Sequence, residues 1–143
     1  MEDPLIKALP SAARLWLAHA VAGIILADGE VEPSELEYLR EVINFLENAE
    51  DINHLVTLVK NKEKVILQSV RMERKAAARV LLYLANIVVS DSNLSPAEAD
   101  FFKYVGTKLG FNPKFSEEVL GWARDFMNVN KKRKALLKRA ERE

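Results

Sequence analysis

The chain has 143 residues, of which 49% are hydrophobic and 29% charged, and its 21 basic residues balance its 21 acidic ones. This length and composition predict one globular domain with a substantial core and exclude an intrinsically disordered protein. Cysteine is absent, which excludes disulfides and thiolate metal sites and fits a reducing compartment.

The first predicted element is a helix over residues 11–27, with Ser11 as its N-cap and apolar side chains on nearly every side. A helix that is hydrophobic all round belongs in the middle of a domain. It falls short of the roughly 20 apolar residues that cross a bilayer. Because the preceding segment lacks the basic start and apolar run of a secretory signal, we expect a cytoplasmic protein.

The second predicted helix begins at Pro33, the favoured first helical position, and is amphipathic through Leu36, Leu39, Ile43 and Leu46. Residues 50–70 suit two short helices that are separated by a break near Asn61. A strand over residues 65–67 is less favoured, because a single strand has no partner.

The pattern then returns. Residues 72–90 predict a second helix that is apolar all round, and residues 96–109 repeat the amphipathic helix, which ends at Gly110. A further helix is expected over residues 115–128, followed by a basic helical tail. The sequence therefore predicts an all-α bundle of about seven helices around two buried central ones. We divide it into a helical domain, 1–128, and a tail, 129–143.

An internal duplication explains this repetition. Residues 17–46 and 80–109 align without a gap and share seven identities, where ordinary composition would give roughly two. The identical pairs are Ala22/Ala85, Ile24/Ile87, Asp28/Asp91, Pro33/Pro96, Glu35/Glu98, Val42/Val105 and Leu46/Leu109.

Acidic residues gather at the turn in each copy, and two interpretations stay open. As a metal site, the first turn would offer four carboxylates and the second turn two, and oxygen ligands suit Ca²⁺, Mg²⁺ or Mn²⁺. As helix caps, the same acids would bind amides at the start of the next helix, with Ser95 and Glu98 forming a capping box. The turn is not an EF-hand loop, since Pro occupies the sixth position. The candidate metal ligands are Asp28, Glu30, Glu32, Glu35, Asp91 and Glu98.

The motif that starts at Ala27-Asp28-Gly29 and continues after four residues with Ser34-Glu35 resembles the TerB-like family, named for bacterial tellurite resistance. Its recurrence, with the ending Leu109-Gly110-Phe111, strengthens the resemblance, which covers residues 11–128. A relative of the family sits in the membrane-tethered DjlA co-chaperone. The resemblance implies a small helical bundle without established enzymatic activity, divalent metal binding through the motif acids, and a role in stress response or membrane-linked complexes. Ser92 replaces the expected Gly in the second copy, which weakens the prediction of a second metal site.

Other features point away from catalysis. The two histidines are interpreted as a core residue, His19, and a surface residue, His54. With no cysteine and no glycine-rich phosphate loop, neither a catalytic triad nor a zinc or nucleotide site can be assembled. We therefore expect a protein that is not an enzyme.

Charge segregation suggests how partners would bind. Residues 28–51 hold nine acids and one base, whereas the last thirteen residues hold seven bases and two acids. The leading hypothesis is a metal-binding module that acts through an unidentified protein partner. The alternative is a metal-free interaction domain whose acids cap helices and form a docking face with Glu37 and Glu41. A membrane surface or nucleic acid bound by the basic tail ranks behind both, and a homodimer is a further arrangement to test.

Overall fold

The computed structural model describes residues 8–27, 29, 31, 33–90 and 95–143, with Ser34 described by its backbone alone. Within these residues the chain forms six helices and no strands, which confirms the all-α prediction. The helices are α1 (Ser11–Leu26), α2 (Pro33–Phe45), α3 (Ala49–Lys60), α4 (Arg74–Val88), α5 (Pro96–Lys108) and α6 (Pro113–Ala140).

Helix α1 lies at the centre and contacts α2, α3, α4 and α5, while α4 contacts α1, α5 and α6. These two helices form the axis, as predicted, but only α1 is covered on nearly every side. Helix α4 is buried along one side and exposes Arg74, Lys75 and Arg79, so the prediction that it is apolar all round was wrong. Burial removes the large apolar side chains of both helices from water, which stabilises the fold by about 1.5–3 kcal/mol for each. None of the helices in the described part of the chain is both long and apolar enough to span a bilayer.

Local chemistry sets several helix ends. Ser95 accepts a hydrogen bond from the Glu98 amide at 3.1 Å at the start of α5, and Asn112 accepts one from the Phe115 amide at 2.8 Å at the start of α6. Glu73, not identified from the sequence, caps α4 by accepting from the Ala76 and Lys75 amides, which lower the pKa of its carboxyl. The prediction for Ser11 was wrong: Pro10 occupies the N-cap position and Ser11 begins the helix.

The end of α5 shows why Gly110 stops it. Gly110 has φ +90°, a left-handed conformation that favours glycine. Its amide donates to Thr107 O at 3.0 Å and the Phe111 amide donates to Gly106 O at 2.9 Å, the pair of bonds of a Schellman motif. Arg74 adds a cation there, since its guanidinium donates to Leu109 O at 3.0 Å and lies 4.2 Å from the centre of the Phe111 ring.

Residues 63–73 differ from the prediction, because the second short helix expected after Asn61 does not form. This linker, residues 63–73, is irregular and joins α3 to α4. Val65 and Leu67 are buried while Ile66 between them is 75% exposed, the alternation of an extended chain. Its backbone groups form hydrogen bonds with residues of other helices, as they would with a neighbouring strand in a sheet.

The last helix also differs from its prediction in extent. Two helical stretches, 115–128 and a tail, were expected, and the structure has the single helix α6. Its buried side chains all lie in the first eleven residues, at Ser116, Val119, Leu120 and Ala123. The division between a domain ending at residue 128 and a separate tail stays a prediction.

Candidate functional site: two equivalent corners

The corner between α1 and α2 and the corner between α4 and α5 have equivalent surroundings. Of the seven identical pairs found in the sequence, six lie wholly in the described residues, and in each the two members share a burial class. The prolines are exposed at the helix start in both copies, and the other five pairs are buried. The duplication is therefore present in the packing as well as in the sequence.

The first corner combines a tight chain reversal with a buried acid. Gly29 adopts φ +79° and its amide donates to Leu26 O at 3.1 Å. Its carbonyl oxygen accepts a hydrogen bond from Lys62 Nζ at 3.4 Å. Glu35, in the first turn of α2, is 2% exposed, so the described part of this corner places a carboxylate inside the protein and the Lys62 ammonium at its rim.

The second corner ends in half of the predicted capping box: Ser95 is the N-cap, but the bond that is seen to Glu98 Oε1 comes from the Ser95 hydroxyl and not from the Ser95 amide. Besides accepting from the Glu98 amide, the Ser95 hydroxyl donates to Glu98 Oε1 at 3.2 Å. Glu98 is 1% exposed, matching its counterpart Glu35. In this copy the acid has a demonstrated structural use, since it holds the N-cap serine in place.

Four of the six candidate metal ligands, Asp28, Glu30, Glu32 and Asp91, lie outside the described residues. The other two, Glu35 and Glu98, belong to different corners. The described residues contain no group of three or more His, Asp or Glu side chains that could hold a metal ion. What they offer at the first corner is the Glu35 carboxylate and the Gly29 carbonyl, which are both hard oxygen donors. That donor chemistry fits a hard divalent cation.

A cleft of about 730 Å³ opens beside the first corner. Its walls come from the end of α1, the start of α5 and residues 62–66, and they carry both charge signs around an apolar floor. The side chains that line it include Leu26, Lys62, Glu63, Lys64, Val65, Asp100, Phe101 and Tyr104. Because Ala27 and Ala97 also line the cleft, it touches residues next to both corners.

The histidines lie apart from the turns, at the contact between α1 and α3. The rings of His19 and His54 stack with centroids 5.7 Å apart, and His54 is exposed, as predicted. His19 is half-buried, and its buried Nε2 has no hydrogen-bond partner among the described residues. Burial, then the charge of His54, lowers the pKa of His19, while Asp51 acts in the opposite direction. The core interpretation of His19 therefore holds in part, because one face of its ring is covered by a surface histidine.

Lys62 is the residue at this site that sequence reasoning missed. It lies 33 positions beyond Gly29 and reaches the corner because α3 ends beside it. The sequence contained one local signal at this place, the predicted break in helical structure near Asn61. The structure has a left-handed residue there, since Lys62 has a φ of 52°. No periodicity or motif links that break to the first turn, so the contact was not accessible from the sequence.

Comparison with known proteins gave one informative result. Neither the curated proteins nor the solved structures that were compared contain a significant match. The family model described as "Tellurite resistance protein TerB" matches residues 14–119, a span that begins within α1 and ends within α6 and includes both corners. With nearly three quarters of its length matched, the chain belongs to the TerB family.

Proposed function

We propose that this protein is a cytoplasmic, non-enzymatic TerB module that binds a divalent cation at the Asp28–Glu35 turn and acts through protein partners in a stress response. The observation that carries the proposal is the crowding of four acidic residues into eight positions, with Glu35, 2% exposed, in the first turn of α2. Carboxylates this close together in the chain repel one another, and a divalent ion with oxygen ligands would lower that repulsion.

The contact of Lys62 with Gly29 supports the same interpretation. The Lys62 ammonium donates a hydrogen bond to a carbonyl oxygen of the turn at 3.4 Å, and a positive charge at this place supports the proposal that the turn binds a cation. Lys62 is exposed and flexible, and it would compete with a bound ion rather than replace it. In this proposal Asp28 and Glu35 bind the ion, Gly29 permits the turn, and Lys62 lowers the affinity.

Isothermal titration with Ca²⁺, Mg²⁺ and Mn²⁺ tests the proposal. We expect saturable heat from the unmodified protein, loss of that heat in Asp28→Asn and Glu35→Gln, and a several-fold lower Kd in Lys62→Met, because a nearby like charge is removed. At 100 times the Kd the ion should add about 2.7 kcal/mol to the free energy of unfolding, visible as a rise in Tm.

Glu118→Gln provides the matched control, since it removes an exposed acid from α6, far along the chain from the turn. It should titrate like the unmodified protein. Identical heats in the unmodified protein and Asp28→Asn, with no change in Tm at millimolar metal, would show that the turn binds no ion.

A second candidate function is a metal-free interaction domain, which the capping box at Ser95 and Glu98 favours. Since the acid of the second corner serves as part of a cap, the acids of the first corner would do the same. Partners would then dock on the acidic face of α2, where Glu37 is exposed and pairs with Arg40 at 3.2 Å. Loss of bound partners in Glu37→Lys/Glu41→Lys, with an unchanged metal titration, would support docking over metal binding.

A further inference from the structure

The C-terminal part of α6 extends away from the packed part of the protein, the described residues up to Ala123, which we call the body. Helix α6 has 28 residues, about 42 Å of helix, but its last buried side chain is Ala123. Of residues 124–143, all of which are described, none is buried, and from residue 131 onward every side chain is exposed. We call residues 124–140 the free segment. At about 25 Å it is long enough to lie along another surface.

An apolar stripe continues along the free segment from the body. Trp122 and Phe126 stack with ring centroids 5.5 Å apart, and both are close to half exposed. Val129, Leu136 and Leu137 are 62%, 63% and 55% exposed and fall on the same side, within a sector of about 100°. This sector is rotated by about 100° from the side that packs on α4 and α5, so the stripe is a separate surface.

Basic residues predominate in the rest of the free segment, which also contains one acid, Asp125. Residues 131–143 carry seven bases and two acids. By helical spacing Lys132 and Lys134 flank the stripe on its two edges, and Lys131, Lys138 and Arg139 cover the opposite side. Arg133 lies within the stripe, beside a shallow groove that Val129, Leu136 and Leu137 also line. An arginine at this place can lay its stem along apolar groups while its guanidinium reaches outward to an anion.

We propose that the free segment binds the surface of an anionic lipid bilayer, with the stripe inserted below the headgroups and the basic residues at phosphate level. An apolar face bordered by lysines and an arginine on a helix with low overall hydrophobicity is the pattern of interfacial helices. This inference goes beyond the metal-binding function and does not depend on it.

Charge complementarity favours a bilayer over the other occupants of the stripe. Two copies of the free segment packed through their stripes would place Lys132, Arg133 and Lys134 of one chain near those of the other, which is repulsive. Nucleic acid would bind the basic side chains but leave the apolar stripe in water. In addition, residues 131–143 contain no aromatic side chain that could stack on a nucleobase.

Co-sedimentation of the full chain with vesicles tests the proposal, using phosphatidylcholine alone and a 3:1 mixture with phosphatidylglycerol. We expect binding to the anionic vesicles in low salt and at least a tenfold loss in 0.5 M NaCl. Each basic residue near an anionic surface contributes about fivefold, so Lys131→Gln/Lys132→Gln/Lys134→Gln should lower the partition coefficient about a hundredfold. Leu136→Ser/Leu137→Ser should lower it at least tenfold, because the stripe loses its apolar groups.

Matched controls change the same residue types on the body. Ile66→Ser removes an exposed apolar side chain, and Lys60→Gln/Lys64→Gln/Arg71→Gln removes three exposed bases. Both should bind vesicles like the unmodified protein, with circular dichroism confirming that all variants are folded. Equal binding to neutral and anionic vesicles, or tail variants that bind like the controls, would overturn the proposal. Two further outcomes would overturn the proposal. In the first, no protein binds vesicles, and Leu136→Ser/Leu137→Ser loses a self-association that ultracentrifugation detects in the unmodified protein. In the second, Leu136→Ser/Leu137→Ser binds both vesicles and a DNA duplex as strongly as the unmodified protein does.

Discussion

His19 is a polar residue on the most buried helix, and its environment makes the stability of the protein depend on pH. Burial and the neighbouring His54 lower the pKa of His19 below its ordinary value of 6.5. The unfolded chain then binds more protons than the folded chain once the pH falls below about 6.5, so stability decreases with acidification. Above that pH the neutral ring is present in both states and the effect vanishes.

We therefore expect Tm to fall more between pH 7.5 and pH 5.5 in the unmodified protein than in His19→Gln, as followed by circular dichroism. Asp51→Asn should make the dependence steeper, because Asp51 favours the protonated ring, and His54→Gln should make it shallower. Equal pH dependence in the unmodified protein and His19→Gln would contradict this account, as would an NMR titration midpoint of His19 above 6.5.

Two glycines at helix contacts determine how closely their helices pack, although no sequence motif marks either position. A Cβ atom on Gly23 of α1 would overlap the Phe101 ring of α5, and one on Gly106 would overlap Ser116 Oγ of α6. These glycines let the helices approach each other closely. The apolar pattern predicted which helices are central, but it contains no information on where two backbones must come together.

The linker, residues 63–73, shows how one element can satisfy its backbone without a sheet. The Tyr104 hydroxyl accepts from the Leu67 amide at 2.8 Å and donates to the Leu67 carbonyl at 3.3 Å, as a neighbouring strand would. Trp16 Nε1 donates to Gln68 O at 2.8 Å, and the Val70 amide donates to Lys108 O at 3.0 Å. The linker is thus held by α1 and α5.

We expect Tyr104→Phe to lower the free energy of unfolding by about 1–3 kcal/mol, because both polar groups of a buried residue lose their partner. Denaturant unfolding measures this loss, and hydrogen exchange of the Leu67 amide should accelerate. Tyr38→Phe is the control, since its hydroxyl does not contact the linker. A cost for Tyr104→Phe no larger than that for Tyr38→Phe would mean that these bonds contribute little.

The linker also marks where sequence-based prediction failed, and the reason is physical. The four helices of the duplicated units follow from periodicity and from prolines at their starts, and all four were predicted within two residues at each end. Val65 and Leu67 carry an apolar signal as well, but the linker is held by distant side chains: Trp16 binds Gln68 from 52 positions away, and Tyr104 binds Leu67 from 37 positions away. A local pattern cannot distinguish a short helix from an extended chain held by such distant side chains. The same limit applies to Lys62 at the first corner, whereas the Ser95 N-cap, which binds the Glu98 amide within four residues, was predicted correctly.

At the scale of the whole molecule, we expect the body to determine the stability of the protein and the free segment to contribute little to it. The body buries α1 and α4 among their neighbours, whereas residues 129–143 contribute no buried side chain. We expect deletion of residues 129–143 to leave Tm within about 2 °C of the full chain, since changes at exposed positions alter stability by about 0.5 kcal/mol or less.

Calorimetry of the full chain and of the deletion variant measures this difference in Tm. A small difference would support the predicted domain boundary at residue 128. A control deletion of residues 119–143, which removes Val119, Leu120 and Ala123 from the core, should lower Tm severely. If the shorter deletion were as damaging, the tail would be part of the folding unit.

The linker lies between the two repeats, after α3, and has no counterpart within either of them. It is anchored on one side by Trp16 from the first repeat's central helix and on the other by Tyr104 and Lys108 from the second repeat's outer helix. Detaching it would expose apolar surface on both repeats at the same moment. Because the linker bonds to both repeats, we expect the two repeats to unfold together as one cooperative unit and not one after the other.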